Sequence, residues 1–127
     1  MIYKLSPLLI ILFTGCSFKS QPISKSATII FKTPTMKFYD KGFVNRYDNY
    51  THLQVFNVGS VVLDLKIYKD EVCRGTFECM DSREFNSKYL NSSYSDDFLY
   101  NLFLQKKINY KDKKNKILIK IKKDRDE

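Results

Sequence analysis

The chain has 127 residues and a formal net charge of +8, with nine Tyr, ten Phe and no Trp. This length indicates one small domain with a modest hydrophobic core. One histidine, His52, without a Ser, Cys or acid near it by local spacing, and four scattered glycines give no pattern for catalysis or for a phosphate-binding loop.

Residues 1–15 have the layout of a secretory signal. One positive charge, Lys4, is followed by the apolar run of residues 8–13, which is too short to cross a bilayer as a helix. Two small residues, Thr14 and Gly15, then precede Cys16. A short buried N-terminal strand with an incidental cysteine is the alternative interpretation.

Residues 12–16, Leu-Phe-Thr-Gly-Cys, resemble the lipobox of bacterial lipoproteins, although Phe13 stands where that family usually has Leu. The resemblance implies that residues 1–15 are removed and that Cys16 carries a covalent diacylglycerol and an N-linked acyl chain such as palmitate. No other cofactor is expected. Two or three acyl chains anchor a protein stably, whereas one does not. By the sorting rule of such lipoproteins, Ser17 implies the periplasmic face of the outer membrane.

Residues 16–26 comprise the lipidated cysteine and a polar, Ser-rich tether without periodicity, and residues 27–127 are predicted to form one folded domain. The positive charge is concentrated near its end, because residues 106–127 have a net charge of +6. Basic segments bind nucleic acid, which an exported lipoprotein seldom meets. An anionic membrane surface is a more suitable partner, and a solvated strand face is the simplest interpretation.

Alternating apolar and polar residues predict an antiparallel sheet. In residues 61–68 every second residue is aliphatic, which favours one buried and one solvated face. Further strands are predicted at residues 28–31, 36–44 with an interruption near 40–42, 52–56, 71–79 and 117–122. The segment 71–79 reads as a strand or as a hairpin around Gly75.

Two short helices are predicted between the strand at residues 71–79 and the strand at residues 117–122. Asp81 and Glu84 have the spacing of a capping box at the start of a helix over residues 82–90, and Ser95 is a start signal for a helix over residues 96–105. The apolar stripe of the second helix consists of Phe98, Leu99, Leu102 and Phe103. Because the helices are grouped and do not alternate with strands, the order indicates an α+β fold.

Cys73 and Cys79 have no histidine pair or second Cys-x-x-Cys motif beside them, so no metal site is expected. A straight strand would separate their α-carbons by about 20 Å, which exceeds the roughly 7 Å limit for a disulfide. A bridge therefore requires a turn at residues 74–76, which Gly75 allows. The sequence leaves a disulfide and two buried free thiols as alternatives.

Residues 52–65 have the pattern of a strand, an Asn-Val-Gly-Ser turn and a second strand. They resemble a segment of the outer-membrane lipoprotein receptor LolB. The similarity continues through a hairpin, two helices and a final Ile/Lys alternation. LolB-like proteins form an incomplete antiparallel barrel with helices in its mouth. Their apolar cavity accepts the acyl chains of lipoproteins delivered by the soluble carrier LolA, and an exposed apolar residue in the turn helps to insert these lipoproteins into the outer membrane.

The resemblance implies a small half-barrel with two short helices on its concave face, a membrane-inserting turn at Val58 and Gly59, and an acyl cavity. The implied cavity-lining residues are Val61, Leu63, Leu65, Ile67, Phe98 and Leu102. The turn lacks the family's Pro, Val58 is smaller than the family's Leu, and the chain is too short for the full strand count.

The function expected from this resemblance is non-enzymatic. Membrane lipids, a LolA-like periplasmic carrier and acylated lipoproteins are the expected partners, and nucleic acid is not. A structural or interaction lipoprotein of the cell envelope, in which the same aliphatic residues form a closed core without a ligand cavity, is the alternative.

Overall fold

The computed structural model describes residues 26–124, which form one eight-stranded antiparallel sheet and two short helices. The strands are β1 (Ser26–Lys32), β2 (Lys37–Arg46), β3 (Tyr50–Asn57), β4 (Ser60–Tyr68), β5 (Glu71–Arg74), β6 (Glu78–Asp81), β7 (Asn109–Asp112) and β8 (Ile117–Lys123). Helices α1 (Ser82–Tyr89) and α2 (Phe98–Phe103) connect β6 to β7. The predicted antiparallel sheet with two helices is confirmed, and the fold is mostly β.

The order of strands across the sheet is β6-β5-β4-β3-β2-β1-β8-β7. Four hairpins, β1–β2, β3–β4, β5–β6 and β7–β8, turn at the same end of this sheet because every neighbouring pair is antiparallel. We call this end, formed by residues 33–36, 58–59, 75–77 and 113–116, the hairpin end. The first residue of β1 and the β2–β3 and β4–β5 turns lie at the opposite end.

The core lies between one face of the sheet and the two helices. Alternate residues of β1, β3, β4 and β8 point to this face, as their period of two requires. They pack against Phe85 of α1 and Phe103 of α2, both of which are fully buried. Burial of each such side chain contributes about 1.5–3 kcal/mol, so the two helices are held mainly by their aromatic residues.

Helix α1 begins as the sequence predicts. The Asp81 carboxylate accepts a hydrogen bond from the Glu84 amide over 2.8 Å, which satisfies one of the free amides of the first turn. Helix α2 begins later than predicted, at Phe98. The Ser95 hydroxyl donates to the Asp97 carboxylate instead of capping a helix, because short polar side chains also favour such local turns.

Strand β2 passes through Gly42 without the predicted interruption. A β-carbon at Gly42 would lie 2.0 Å from the Gln54 carbonyl oxygen and 2.6 Å from the Ile29 Cδ1 atom. The glycine therefore allows β3 and a core side chain to approach the backbone closely, and it does not end the strand.

Of the two alternatives predicted around Gly75, the hairpin is confirmed, and β5 and β6 extend it to Asp81. Strand β7 differs from the sequence prediction: it is an additional strand that pairs only with β8 among the residues described. Strand β7 was missed because its four residues, Asn-Tyr-Lys-Asp, contain no aliphatic residue. No helix within residues 26–124 has both the length and the hydrophobicity to span a bilayer.

Candidate lipid-interaction site

The β3–β4 turn presents an apolar side chain to solvent. Val58 is 98% exposed and has a positive φ of 50°, and the next residue, Gly59, has a φ of 79°. Two consecutive positive φ values in a two-residue hairpin loop are typical of a type I′ turn, whose first position favours Asn, Asp or Gly. A β-branched residue in this conformation costs of order 1–2 kcal/mol, and at this exposure Val58 gains almost nothing from packing.

The strand behind this turn is only partly covered. Strand β5 pairs with β4 from Leu65 to Ile67, so the first residues of β4 extend beyond its neighbour. Val61 is 46% exposed and Val62 is 42% exposed as a result. A depression of about 320 Å³ lies there, lined by Val61, Val62, Leu63, Asp64, Arg74, Gly75 and Glu78. This volume is at the lower limit of pockets that hold small molecules.

The residues expected to line an acyl cavity are mostly in the core. Leu63, Leu65, Ile67 and Leu102 belong to one buried cluster, and Phe98 packs against it half-buried. Val61 lies outside this cluster and is 46% exposed, because β5 pairs with β4 only from Leu65 to Ile67. The structure thus brings five of the six residues together, as a filled interior in the conformation described.

The C-terminal end of helix α2, which covers this interior, accepts hydrogen bonds from the guanidinium of Arg46. The Arg46 Nε atom donates a hydrogen bond to the Phe103 carbonyl over 2.7 Å, and its guanidinium also donates to the Gln105 carbonyl. Carbonyls at a helix end lack intrahelical partners and carry the negative end of the dipole. Nothing in the local sequence pairs Arg46 with residues so far along the chain, so this role was missed.

The segment that precedes α2 is attached to the β7–β8 hairpin by hydrogen bonds. The Tyr94 hydroxyl donates to the Asp112 carboxylate, which also accepts from the Asn115 side chain over 2.8 Å. The bond from Tyr94 is the main cause that lowers the pKa of Asp112. Burial is the main cause that raises the pKa of Tyr94. Both ends of the segment containing α2 are therefore attached to the sheet by polar contacts.

The β5–β6 hairpin is closed by a disulfide. Cys73 and Cys79 stand opposite each other across the two strands, and their sulfurs are 2.03 Å apart. The chain turns at residues 75–77, where Gly75 has a φ of 69°. The tip of this hairpin carries Phe77, which is 95% exposed. Sequence reasoning missed Phe77, although an aromatic residue directly after a Gly-Thr turn was a signal.

His52 has a partner that local spacing did not reveal. Its Nε2 atom lies 2.7 Å from a carboxylate oxygen of Asp64, on the sheet face opposite the core. The two residues come from paired strands β3 and β4. This cross-strand pair is a contact of the kind that stabilises sheets, and a non-catalytic histidine stays a prediction.

Cys16 and the tether up to residue 25 lie outside the described residues. Comparison of the chain with models of known protein families, with curated proteins and with solved structures finds no match. The candidate site is therefore defined by its own geometry: an exposed apolar turn, an uncovered strand segment behind it, and an apolar interior under a short, fastened helix.

Proposed function

We propose that this protein is an envelope lipoprotein anchored through Cys16 at the periplasmic face of the outer membrane, with an activity like that of LolB. It accepts acylated lipoproteins from a LolA-like carrier and helps to insert them into the membrane, without covalent chemistry. The observation that carries the proposal is Val58, which stands in a conformation unfavourable for valine and is 98% exposed.

Val58 supports the membrane step. A residue that costs stability at its position and has almost no packing contact is better explained by function than by folding. Transfer of its side chain from water to hydrocarbon contributes roughly 1.5 kcal/mol. This gain is absent while the turn is in water. Gly59 follows it in the left-handed conformation and lets the chain reverse directly behind the inserted residue.

Helix α2 supports the acceptance step. It has six residues and lies over the inward aliphatic residues of β3 and β4, and hydrogen bonds at the two ends of its segment add to the packing of its buried residues. If α2 swings away, Leu63, Leu65 and Ile67 become the floor of an apolar trough in a small half-barrel. Leu63 also lines the depression beside Val61, and each CH₂ group buried in such a trough contributes about 0.8 kcal/mol.

The second candidate is the structural or interaction lipoprotein without a cavity. It is favoured by the complete burial of Leu65 and Ile67, which are 0% exposed. In this case α2 is a permanent part of the core and does not open.

The two candidates differ in acyl binding. Every described strand and helix lies within residues 26–124, so a version of the chain that begins at Ser17 keeps all of these elements. We would titrate this protein with a fluorescent fatty-acyl probe and compare wild type with Arg46→Met, which releases the end of α2. Saturable binding that is faster in Arg46→Met supports transfer. No binding by folded wild type overturns it and leaves the second candidate.

Delivery is tested separately with an acylated lipoprotein and liposomes. Val58→Asn removes the apolar side chain but suits the positive φ, so this variant should keep acyl binding and lose most delivery. Leu104→Asn, at an apolar residue that is 49% exposed at the opposite end of the sheet, is the matched control and should deliver like wild type. Equal delivery by wild type and Val58→Asn contradicts the role of the turn.

A further inference from the structure

We infer that the hairpin end is a docking surface for an anionic phospholipid bilayer. In this arrangement Val58 and Phe77 enter the hydrocarbon layer, and lysines on the two other hairpins contact the headgroups. The inference rests on the proposed function for the role of Val58, and it adds a second inserting residue, a basic surface and the class of lipid.

The apolar half of the surface comes from two neighbouring hairpins. Val58 at the tip of β3–β4 is 98% exposed and Phe77 at the tip of β5–β6 is 95% exposed. Strands β4 and β5 are paired, so the two tips belong to neighbouring hairpins at the same end of the sheet, and the β5–β6 turn begins level with Asp64, behind the β3–β4 tip. Large apolar residues at such exposure on adjacent turns are unusual in a protein surface that stays in water.

The disulfide gives this pair of tips a fixed geometry. Cys73 and Cys79 join the two strands directly behind the turn that carries Phe77. Strand β6 is at the edge of the sheet, where a four-residue strand would otherwise open easily. The bridge therefore keeps Phe77 in place at the hairpin end.

The basic half comes from the other two hairpins, which are also neighbours because β8 pairs with β1. Five exposed lysines stand in these two turns or directly beside them: Lys32, Lys37, Lys113, Lys114 and Lys116. The sequence alone assigned the positive charge to the C-terminal segment. The pairing of β8 with β1 adds Lys32 and Lys37 to the lysines of residues 113–116.

Negative charge is sparse at this end. The four turns, residues 33–36, 58–59, 75–77 and 113–116, contain no Asp or Glu. The acids that flank them, Glu78 and Asp112, each accept a hydrogen bond from a tyrosine hydroxyl. The β2–β3 and β4–β5 turns at the opposite end contain Asp48 and Asp70 against one cation, Lys69. The charge distribution therefore orients the hairpin end toward an anionic surface.

A bilayer fits this surface better than nucleic acid does. Phosphate backbones bind basic residues but offer no layer for two protruding apolar tips, whereas a bilayer offers hydrocarbon directly beneath its anionic headgroups. Electrostatic attraction to the headgroups falls off within a Debye length, about 10 Å at 0.1 M salt. Lysines contribute to docking only if they stand at the same end as the inserted residues, as they do here.

The predicted lipid anchor is compatible with this orientation. The chain enters the sheet at Ser26, at the end opposite the hairpins. Nine residues stand between Cys16 and Ser26, and an extended chain over this interval reaches at most about 35 Å. This reach is similar to the length of a ten-residue strand, about 33 Å, so an anchored domain can lay its hairpin end on the same membrane.

The test measures vesicle binding of the protein from Ser17, without acylated cargo, on phosphatidylglycerol-containing and on pure phosphatidylcholine vesicles. Wild type should bind the anionic vesicles at low salt and lose binding at high salt. Phe77→Ser and the double variant Lys113→Glu, Lys114→Glu should each reduce affinity at least about tenfold. Near-ultraviolet circular dichroism checks that each variant is folded.

Two matched controls lie at the opposite end of the sheet. Leu104→Ser removes an apolar residue that is 49% exposed, and the double variant Lys106→Glu, Lys107→Glu reverses the same charge as the test pair. Both should bind like wild type. Equal losses in test and control variants, equal binding to neutral vesicles, or no binding by wild type would each overturn the inference.

The result is independent of acyl transfer. Salt-dependent vesicle binding by a protein that does not bind the acyl probe supports the docking surface while the proposed function fails. Acyl binding by a protein that does not bind anionic vesicles supports the proposed function and overturns the docking surface.

Discussion

Arg46 of β2 and Phe103 of α2 are joined by a hydrogen bond of 2.7 Å from the guanidinium to the main-chain carbonyl. The two residues are 57 positions apart in the chain, and the bond fastens the helix that covers the core to the sheet beneath it. It places a permanent cation at the negative end of a short helix. One side chain of the sheet therefore adds to the packing of Phe103 in holding α2 over the interior.

We expect Arg46→Met to lower the free energy of unfolding by about 1–2 kcal/mol, because two carbonyls lose a charged donor. Urea denaturation measures the change. Arg83→Met is the control, since Arg83 makes only an exposed ion pair with Asp96, and its loss should have an effect below about 0.5 kcal/mol. Equal effects of the two substitutions would show that the Arg46 contacts do not stabilise α2.

Loss of the disulfide should destabilise the domain. Cys73 and Cys79 are six positions apart, and the chain-entropy relation for so short a loop gives about 2 kcal/mol. We expect the variant Cys73→Ser, Cys79→Ser to lose this amount in urea denaturation. Wild type treated with a reducing agent should match the variant, and a reductant that leaves wild type unchanged would contradict the bridge.

Val58→Asn should make the protein more stable. Asn tolerates the left-handed conformation better than a β-branched residue does, so we expect a gain of about 1 kcal/mol in the free energy of unfolding. Val62→Asn lies on the same hairpin without a positive φ and should give no gain. A Val58→Asn variant of unchanged or lower stability would remove the argument that the valine is kept for function.

Gly42→Ala should be strongly unfavourable. The added methyl would lie 2.0 Å from a main-chain oxygen of β3, so two strands must separate, and overpacking of this kind costs about 1–3 kcal/mol or more. Gly59→Ala is the comparison, because its β-carbon meets no atom within 4 Å and only its positive φ is strained. Thermal unfolding should rank Gly42→Ala as the less stable of the two.

Stability should fall in acid partly through Asp112. Its folded pKa is below the ordinary value of 3.8, chiefly because of the hydrogen bond from Tyr94. The stabilising contribution of the carboxylate is therefore complete above the unfolded value and is lost as the pH falls through the folded value. We expect Asp112→Asn to weaken the decrease in melting temperature between about pH 5 and about pH 2. Asp48→Asn, in the exposed β2–β3 turn, controls for the loss of one charge.

Much of the local structure could be read from the sequence. The alternation of residues 61–68 predicted β4, Asp81 predicted the start of α1, and Asn57 to Ser60 predicted a hairpin turn. These features depend on the geometry of a few consecutive residues: the period of two in a strand, the free amides of a helix start, and the conformations allowed in a tight turn. The spacing of Cys73 and Cys79 showed only that a bridge needs a turn between them.

Only the tertiary structure decided which segments are neighbours. Val61 has the same pattern as Leu63 and yet lies outside the core, because β5 is too short to reach it. Gly42 resembles a strand end and instead allows two strands to approach closely. Strand pairing joins residues distant in the chain, so the common position of Val58, Phe77 and the hairpin lysines at one end of the sheet followed from the order of strands and from no local pattern.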